Sequence, residues 1–280
     1  MRFQRSPIPR WMSTRIRNRH LAAFGVAWVG LFFVLPLVFL VPESLALGTG
    51  QPFQAYNRVF DSLYIDAFVR SFLYAAATTV LTLLLAYVLS YYLSFGSRRI
   101  RLALTLVVVP LWIAYIVRYF GLLLFFSPAG PLATYTGLEV DLLFTTPAVI
   151  IGLMNVYLPF AVLPIYNSLN SIDTELLDAS RILGAGRWRT IASIVVPLSL
   201  PGVVAAGLIV FILAAGSFLG PAVLGGPGQK MVANYIAQAF LDNYNIQFAS
   251  ALAVVYTIIL LGLLGIFNAV ADLEEVLGGI

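Results

Sequence analysis

The side chains best suited to specific recognition lie in one polar segment, LDASRILGAGRWRTIASIVVP, which runs from Leu177 to Pro197 between two long apolar stretches. Acidic Asp178 lies three residues before Arg181, and the small residues Ala179 and Ser180 lie between them. Charged groups of this kind form strong hydrogen bonds with another protein, and small residues let a second backbone approach closely. We therefore predict that this segment docks to a partner protein.

This chain has few of the side chains that carry out covalent catalysis or bind metal ions. It has no cysteine and its one histidine is His20, so thiol catalysis, disulfides and zinc sites built from Cys or His lack their ligands. A nucleotide-binding P-loop reads Gly-x-x-x-x-Gly-Lys-Ser/Thr, whereas the one lysine, Lys230, lies in Gly-Gln-Lys-Met. We predict no enzyme activity and no cofactor in this chain, so that any ATP and magnesium are bound by a partner.

The composition is that of an integral membrane protein. Hydrophobic residues make up 61% of the 280, charged residues 10%, and the mean hydropathy is +0.95, too little polar surface for a soluble protein. The basic residues lie in short clusters between apolar spans and form no single patch, which argues against nucleic acid and indicates membrane topology. We therefore expect the apolar segments of the chain to be surrounded by membrane lipid.

Six apolar segments are long enough to cross a bilayer as helices, which takes about 20 residues. The predicted fold is therefore all-α with six transmembrane helices, placed near Leu21–Val41, Ser71–Phe95, Leu102–Phe126, Ala148–Tyr166, Gly202–Gly220 and Ala249–Ala271. Prolines and glycines interrupt the long uncharged run that begins at Ile191. We interpret this run as an interfacial approach, one span and an external loop.

The distribution of basic residues predicts the orientation. Twelve of the 16 lysines and arginines lie before the first span or in the second-to-third and fourth-to-fifth loops. Because Lys and Arg accumulate on the cytoplasmic side, both termini and the loop at 169–197 are predicted to be cytoplasmic. The first apolar stretch exceeds the 7–15 residues of a secretory signal, so we interpret it as an uncleaved anchor.

A short helix is expected within the polar segment. Asp173 and Thr174 are good N-caps, and Gly184 is suited to end the helix in a left-handed conformation. One helical face would then carry Leu176, Ala179, Ser180 and Leu183, opposite Asp178 and Arg181. The alternative is a helix on the membrane surface with its arginines on lipid phosphates, which the three acidic residues Asp173, Glu175 and Asp178 disfavour.

The polar segment resembles the cytoplasmic loop of permease subunits in binding-protein-dependent ABC importers. That pattern is Glu-Ala-Ala, three residues, Gly, nine residues and Ile-x-Leu-Pro, which this chain meets with Asp178, Ala179, Ser180, Gly184, Ile194, Val196 and Pro197. The resemblance implies a coupling helix that docks on an ATPase, with aspartate in place of glutamate. It also implies a type I importer permease fold, with a cytoplasmic arm at 1–20, a permease domain at 21–273 and a cytoplasmic tail at 274–280.

Three further stretches, at 68–94, 108–121 and 217–252, are similar to the first permease subunit of spermidine/putrescine-type importers. The resemblance implies a heterodimer with a second permease subunit, two cytoplasmic ABC ATPase subunits, an external substrate-binding protein and a place in the bacterial inner membrane. A polyamine is the expected solute, and opines, aminobutyrate-like compounds, aminophosphonates and thiamine are the alternatives. An ion-coupled carrier would need buried acidic or histidine residues, and an intramembrane enzyme would need paired carboxylates, a Ser/His set or metal ligands. The predicted spans provide none of these.

Candidate residues of the translocation pathway are the polar ones within or beside the spans: Tyr115, Arg118, Asn155, Tyr157 and Asp242. Arg118 is expected towards the outer end of the third span. It would either line the cavity or reach the outer interface or a neighbouring helix. Asn155 and Tyr157 would either bind solute or form hydrogen bonds between helices, and Asp242 would either meet solute or the binding protein or lie in a solvated loop.

Overall fold

The computed structural model describes residues 25–45, 53–96, 100–137 and 141–271. The predicted cytoplasmic arm at 1–20 and the tail at 274–280 lie outside these residues, and so do Arg98 and Arg99. The orientation of the chain in the membrane therefore stays a prediction from the sequence.

The described residues form helices and one isolated bridge between Phe144 and Gly225. We number the helices α1 Gly25–Ser44, α2 Gln54–Val59, α3 Ser62–Phe95, α4 Ile100–Val108, α5 Tyr115–Phe126, α6 Pro131–Thr136, α7 Thr146–Asn170, α8 Thr174–Ile182, α9 Arg187–Ala215, α10 Leu219–Leu224, α11 Val232–Ala237 and α12 Ile246–Ala271. Six helical segments within the described ranges are long and apolar enough to cross a membrane, which confirms the predicted all-α fold with six spans.

Helices α3, α7 and α9 pack on one another and form the centre of the molecule. Their contact surfaces are built from small side chains: on α3 the fully buried residues recur every three or four positions at Ser71, Ala75, Thr78, Thr82, Ala86 and Ser90. Helices in a membrane approach closely where side chains are small, and hydroxyls then bond across the contact. The Ser90 hydroxyl donates to the Val162 carbonyl of α7 (3.1 Å), and Tyr87 and Ser199 of α9 share a hydrogen bond of 3.1 Å.

The third span is not the continuous helix that we predicted. Helix α4 ends at Val108, a 3₁₀ turn covers Val109–Trp112, and Ile113 and Ala114 are extended before α5 begins. Pro110 lies in this turn, where its missing N–H and its ring prevent α4 from continuing. Arg118 consequently lies in the first turn of α5 rather than towards the outer end of a long helix.

The fifth span also differs from the prediction. A single helix, α9, crosses the region that we interpreted as an interfacial approach, and it ends at Ala215 instead of Gly220. A π-helical turn at Ile191–Val195 precedes Pro197, and such a turn relieves the clash between a proline ring and the preceding carbonyls. Gly216 thus caps α9 while Gly220 belongs to α10, so the two glycines do not share a helix.

Gly202 permits a close contact between α7 and α9. A β-carbon at this position would lie 2.4 Å from the Cβ of Ser168 and 2.7 Å from the Pro164 carbonyl oxygen. Gly207, one and a half turns further on, has 3.4 Å to its nearest neighbour, a methyl of Leu83. Only the first of these positions therefore demands glycine for packing.

We predict that Gly202→Ala destabilises the protein by about 1–3 kcal/mol, because overpacking must separate α7 from α9. Gly207→Ala is the matched control, and its alanine is expected to be neutral or to stabilise by up to about 1 kcal/mol through helix propensity. Thermal unfolding of the two variants in detergent micelles measures the difference. Equal unfolding temperatures would contradict the packing argument.

Candidate docking helix and translocation pathway

The predicted docking helix is present as α8, and both of its ends are capped by local hydrogen bonds. The Asp173 carboxylate accepts from the Glu175 amide (2.9 Å) at the start. At the end, Gly184 has φ +80°, its amide donates to the Arg181 carbonyl, and the Ala185 amide donates to the Ser180 carbonyl, both at 3.0 Å. This pair of bonds is a Schellman motif, which turns the chain sharply and favours glycine at the left-handed position.

One side of α8 is anchored to the start of α9. Leu177 and Ser180 are buried, and the Ser180 hydroxyl shares a hydrogen bond of 2.9 Å with the Thr190 hydroxyl. Ser180 also donates to the Leu177 carbonyl (2.8 Å). The Ser180–Thr190 bond and the tight turn at Gly184 therefore join α8 to the start of α9.

The opposite side of α8 is exposed and partly apolar. Ile182 and Leu183 are each 86% exposed and Trp188, just beyond the turn, is 83% exposed. Asp178 and Arg181 form an ion pair of 2.9 Å on this surface. Exposed large apolar side chains beside charges are typical of a protein interface.

The helical face predicted for docking is divided in the structure. Ser180 belongs to the buried side with Leu177, whereas Leu176, Ala179 and Leu183 are exposed. The reason is that α8 packs on the start of α9, which the helical wheel does not show. Of the later positions in the pattern, Ile194 is half-buried against the core within the π turn, and Pro197 is exposed in α9.

Four of the five predicted pathway residues come together around the start of α5. The Arg118 guanidinium donates to the carbonyls of Asn155 (3.3 Å) and Val156 (3.4 Å) in α7, and it lies 5.5 Å from the centre of the Tyr115 ring. The Tyr157 side chain is close enough to Arg118 for the two to interact electrostatically. Asn155 and Tyr115 are exposed and Tyr157 is buried.

A proline explains why Arg118 binds this part of α7. Pro159 has no N–H, so the carbonyl four residues earlier, that of Asn155, lacks its partner within the helix. In a membrane such a carbonyl must be satisfied by a neighbouring side chain. Arg118 of α5 supplies that donor and thus joins the two helices. Contact with a neighbouring helix was one of the alternatives predicted for it.

Tyr119 lies next to this site and was not predicted from the sequence. Tyr119 is 1% exposed, and its ring lies between Gly152 of α7 and Gly220 of α10, where added β-carbons would come within 3.3 Å of it. Its hydroxyl has Tyr157 and Ser217 as polar neighbours. The signal was available, since two glycines in apolar helices indicate close packing against a large side chain.

Asp242 lies apart from the other four residues. It is exposed at the end of a π-helical turn that continues α11, and it lines a groove of about 610 Å³ together with Phe144, Phe218, Lys230 and Gln238. Asn234 ties α11 to this region by donating to the Phe218 carbonyl (3.0 Å) and accepting from the Met231 amide (2.9 Å). The groove is therefore a second polar site, on the opposite end of the spans from α8.

The described ranges contain no group of three or more His, Asp or Glu side chains that could hold a metal ion. The chemistry available at the two polar sites is that of hydrogen bonding, ion pairing and cation–π contact. This arrangement suits binding and conformational coupling.

Comparison with known proteins decides the family. Residues 79–274 match the family described as "Binding-protein-dependent transport system inner membrane component". The chain belongs to this family. It is a permease subunit of a binding-protein-dependent ABC importer, a non-enzymatic transport component and a multi-pass protein of the bacterial inner membrane, which confirms those predictions.

Curated relatives agree with this assignment. The permease is 32% identical over 249 residues to the spermidine/putrescine transport system permease protein PotB of Escherichia coli (strain K12), covering 84% of this chain and 90% of the relative. PotB of Haemophilus influenzae is 30% identical over 248 residues, covering 84% and 87%. The predicted resemblance to this branch of permeases is thus confirmed.

Solved structures show the same fold. A bacterial ABC transporter for import of the acidic polysaccharide alginate matches with a TM-score of 0.79 at 17% identity, covering 94% of this permease and 99% of that chain. The MetNI methionine ABC transporter matches with a TM-score of 0.57 at 19% identity, covering 78% and 99%. The predicted type I importer permease fold is confirmed.

We predict that Arg118→Leu destabilises the permease by about 1–3 kcal/mol, because the Asn155 carbonyl then has no donor. Adding Pro159→Ala restores a helix N–H to that carbonyl and should reduce the penalty by about 1 kcal/mol. Pro164→Ala is the control, since it restores a helix N–H to the Phe160 carbonyl, which Arg118 does not bind. A double-mutant cycle of unfolding free energies in detergent tests this, and an equal penalty in both proline backgrounds would disprove the pairing.

Proposed function

We propose that this permease forms a heterodimer with a second, related permease subunit and imports a polyamine, driven by ATP that two separate cytoplasmic ATPase subunits bind with magnesium and hydrolyse. The exposed apolar side of α8, held in place by its Schellman turn and by the Ser180–Thr190 bond, carries the proposal. An external substrate-binding protein delivers the solute to the opposite end of the spans. Both termini and α8 are cytoplasmic in this proposal, as the arginine distribution indicates.

Coupling follows from how α8 is connected. The ATPase binds Ile182, Leu183 and the surface around Asp178, so that its closure on ATP displaces α8. Helix α9 moves with α8, and α9 packs along α3 and α7 in the centre of the subunit. A small displacement at the ATPase is thereby converted into a rearrangement of packed helices, which open the solute path to one side of the membrane at a time.

Asp178 replaces the glutamate of the family pattern, and its surroundings favour a different role. Its carboxylate already pairs with Arg181 on the same helix at 2.9 Å. An aspartate is one methylene shorter than glutamate, and this pair orients it along the surface. Apolar contact through Ile182 and Leu183 therefore contributes more to docking than a charge contact through Asp178.

The polyamine assignment is supported by the relatives that transport spermidine and putrescine. Asp242 in the outer groove supplies a carboxylate on the side from which a cationic solute enters. Tyr115 and Asn155 present the exposed polar groups next to Arg118, where the solute passes between the two permease subunits.

We predict that Gly184→Val abolishes ATP-dependent uptake while membrane insertion is retained, because a β-branched residue at φ +80° breaks the turn after α8. Gly186→Val is the matched control, since its φ of −68° suits any residue and an added β-carbon meets no atom within 4 Å. Co-purification of the ATPase and uptake into vesicles are the measurements. Wild-type uptake by the Gly184→Val variant would contradict the proposed coupling role of α8.

We expect radiolabelled spermidine or putrescine to accumulate in vesicles that contain the complete importer and its binding protein, in competition with unlabelled polyamine. An opine, aminobutyrate, an aminophosphonate and thiamine should not compete at the same concentration. Competition by one of these and not by polyamines would replace the solute while leaving the importer assignment intact.

A further inference from the structure

A basic cavity of about 320 Å³ lies between the end of α3 and the start of α9, behind the docking helix. It is lined by Tyr91 and Phe95 of α3, Arg181 of α8, and Arg187, Ile191 and Val195 of α9. The Tyr91 and Phe95 rings pack at 5.1 Å. The cavity therefore has apolar and aromatic walls on the side of the spans, and two guanidinium groups at its other end.

The charges at this cavity are not balanced by the protein. Arg181 has Asp178 as its partner, but within the described residues Arg187 forms no ion pair. Arg187 is the first residue of α9, whose first turn contains no acidic side chain. Cations are unfavourable at the positive end of a helix, so an anion between the two arginines would relieve a local excess of positive charge.

A separate apolar groove of about 580 Å³ lies further along α3 and α9, where α12 also packs. Its walls include Leu83 of α3, Val203, Gly207 and Phe211 of α9, and Leu264 and Phe267 of α12. From Val195 to Val203 the distance along α9 is about 12 Å. A polar site at the end of the spans and an apolar groove deeper along them match the two parts of a phospholipid.

We propose that this permease binds an anionic phospholipid of the cytoplasmic leaflet along the α3–α9 contact, with the headgroup phosphate between Arg181 and Arg187 and an acyl chain in the groove beside Gly207. Arginine fits phosphate because its fork of donors binds two oxygens at once. Tyr91 lies close to the end of α3, and aromatic rings are enriched where spans meet the headgroups. The assignment rests on the proposed function in one respect, the cytoplasmic placement of this end.

The apolar groove further along the same two helices favours a lipid over an acidic residue of the ATPase. A protein carboxylate would neutralise the arginines but would leave the groove unexplained. The lipid would touch α8 through Arg181 and α9 through Arg187, and so would support the joint between them. In this proposal Arg181 and Arg187 bind the lipid, while Ile182 and Leu183 on the exposed side of α8 bind the ATPase.

The test uses the complete importer, purified in a zwitterionic detergent and titrated with phosphatidylglycerol or with phosphatidylcholine, and bound lipid is counted by native mass spectrometry. Wild type should prefer phosphatidylglycerol, and Arg187→Gln should weaken that preference about fivefold, the factor equivalent to about 1 kcal/mol per arginine near an anionic headgroup. Arg189→Gln is the matched control, because it removes the same charge two residues away without lining the cavity. Gly207→Leu, which fills the groove, should also weaken binding of phosphatidylglycerol.

Four outcomes would overturn the proposal. They are an unchanged preference in Arg187→Gln, an equal loss in Arg187→Gln and Arg189→Gln, displacement of phosphatidylglycerol by millimolar inorganic phosphate, or loss of the ATPase subunit from Arg187→Gln with lipid retained. The second would indicate general attraction of charge, the third a soluble anion and the fourth a protein contact. Lipid counting needs no transport, so the proposal can fail while the importer assignment stands.

Discussion

Every backbone polar group within the spans of this permease must find a partner without bulk water, and the rest of the structure depends on that constraint. Helices satisfy it along most of each span. Prolines inside the spans create the exceptions, and each exception requires a compensating feature. Pro159 frees the carbonyl that Arg118 binds, Pro110 ends α4, and Pro197 follows a π turn. The contact between Arg118 and α7 is thus a consequence of where Pro159 lies.

Close packing through small residues turns these separate helices into one body. The buried serines, threonines and alanines of α3 let α7 and α9 approach, and Gly202 allows a contact that no larger residue would permit. Tyr119 fills the space that Gly152 and Gly220 leave. Because the centre is densely packed, a displacement at one helix end is transmitted as a shift of whole helices.

The docking helix is connected to this body at one place. Its buried side bonds to the start of α9 through Ser180 and Thr190, and its exposed side is left to a partner. One segment thus combines a fixed internal contact with the surface that we propose binds the ATPase. Arg181 and Arg187 of this segment also line the cavity between α8, α3 and α9.

The sequence by itself determined the membrane class, the number of spans, the docking helix with its capping residues, and the family. Each of these depends on composition or on spacing within a few residues, such as Asp173 and Gly184 at the two ends of α8. The tertiary structure alone decided the continuity of α9 through two prolines and the separation of Asp242 from Arg118. It also placed Ser180 on the buried side of α8. These features depend on contacts between residues far apart in the chain, because a neighbouring helix decides whether a proline carbonyl is satisfied and which face of a helix is covered.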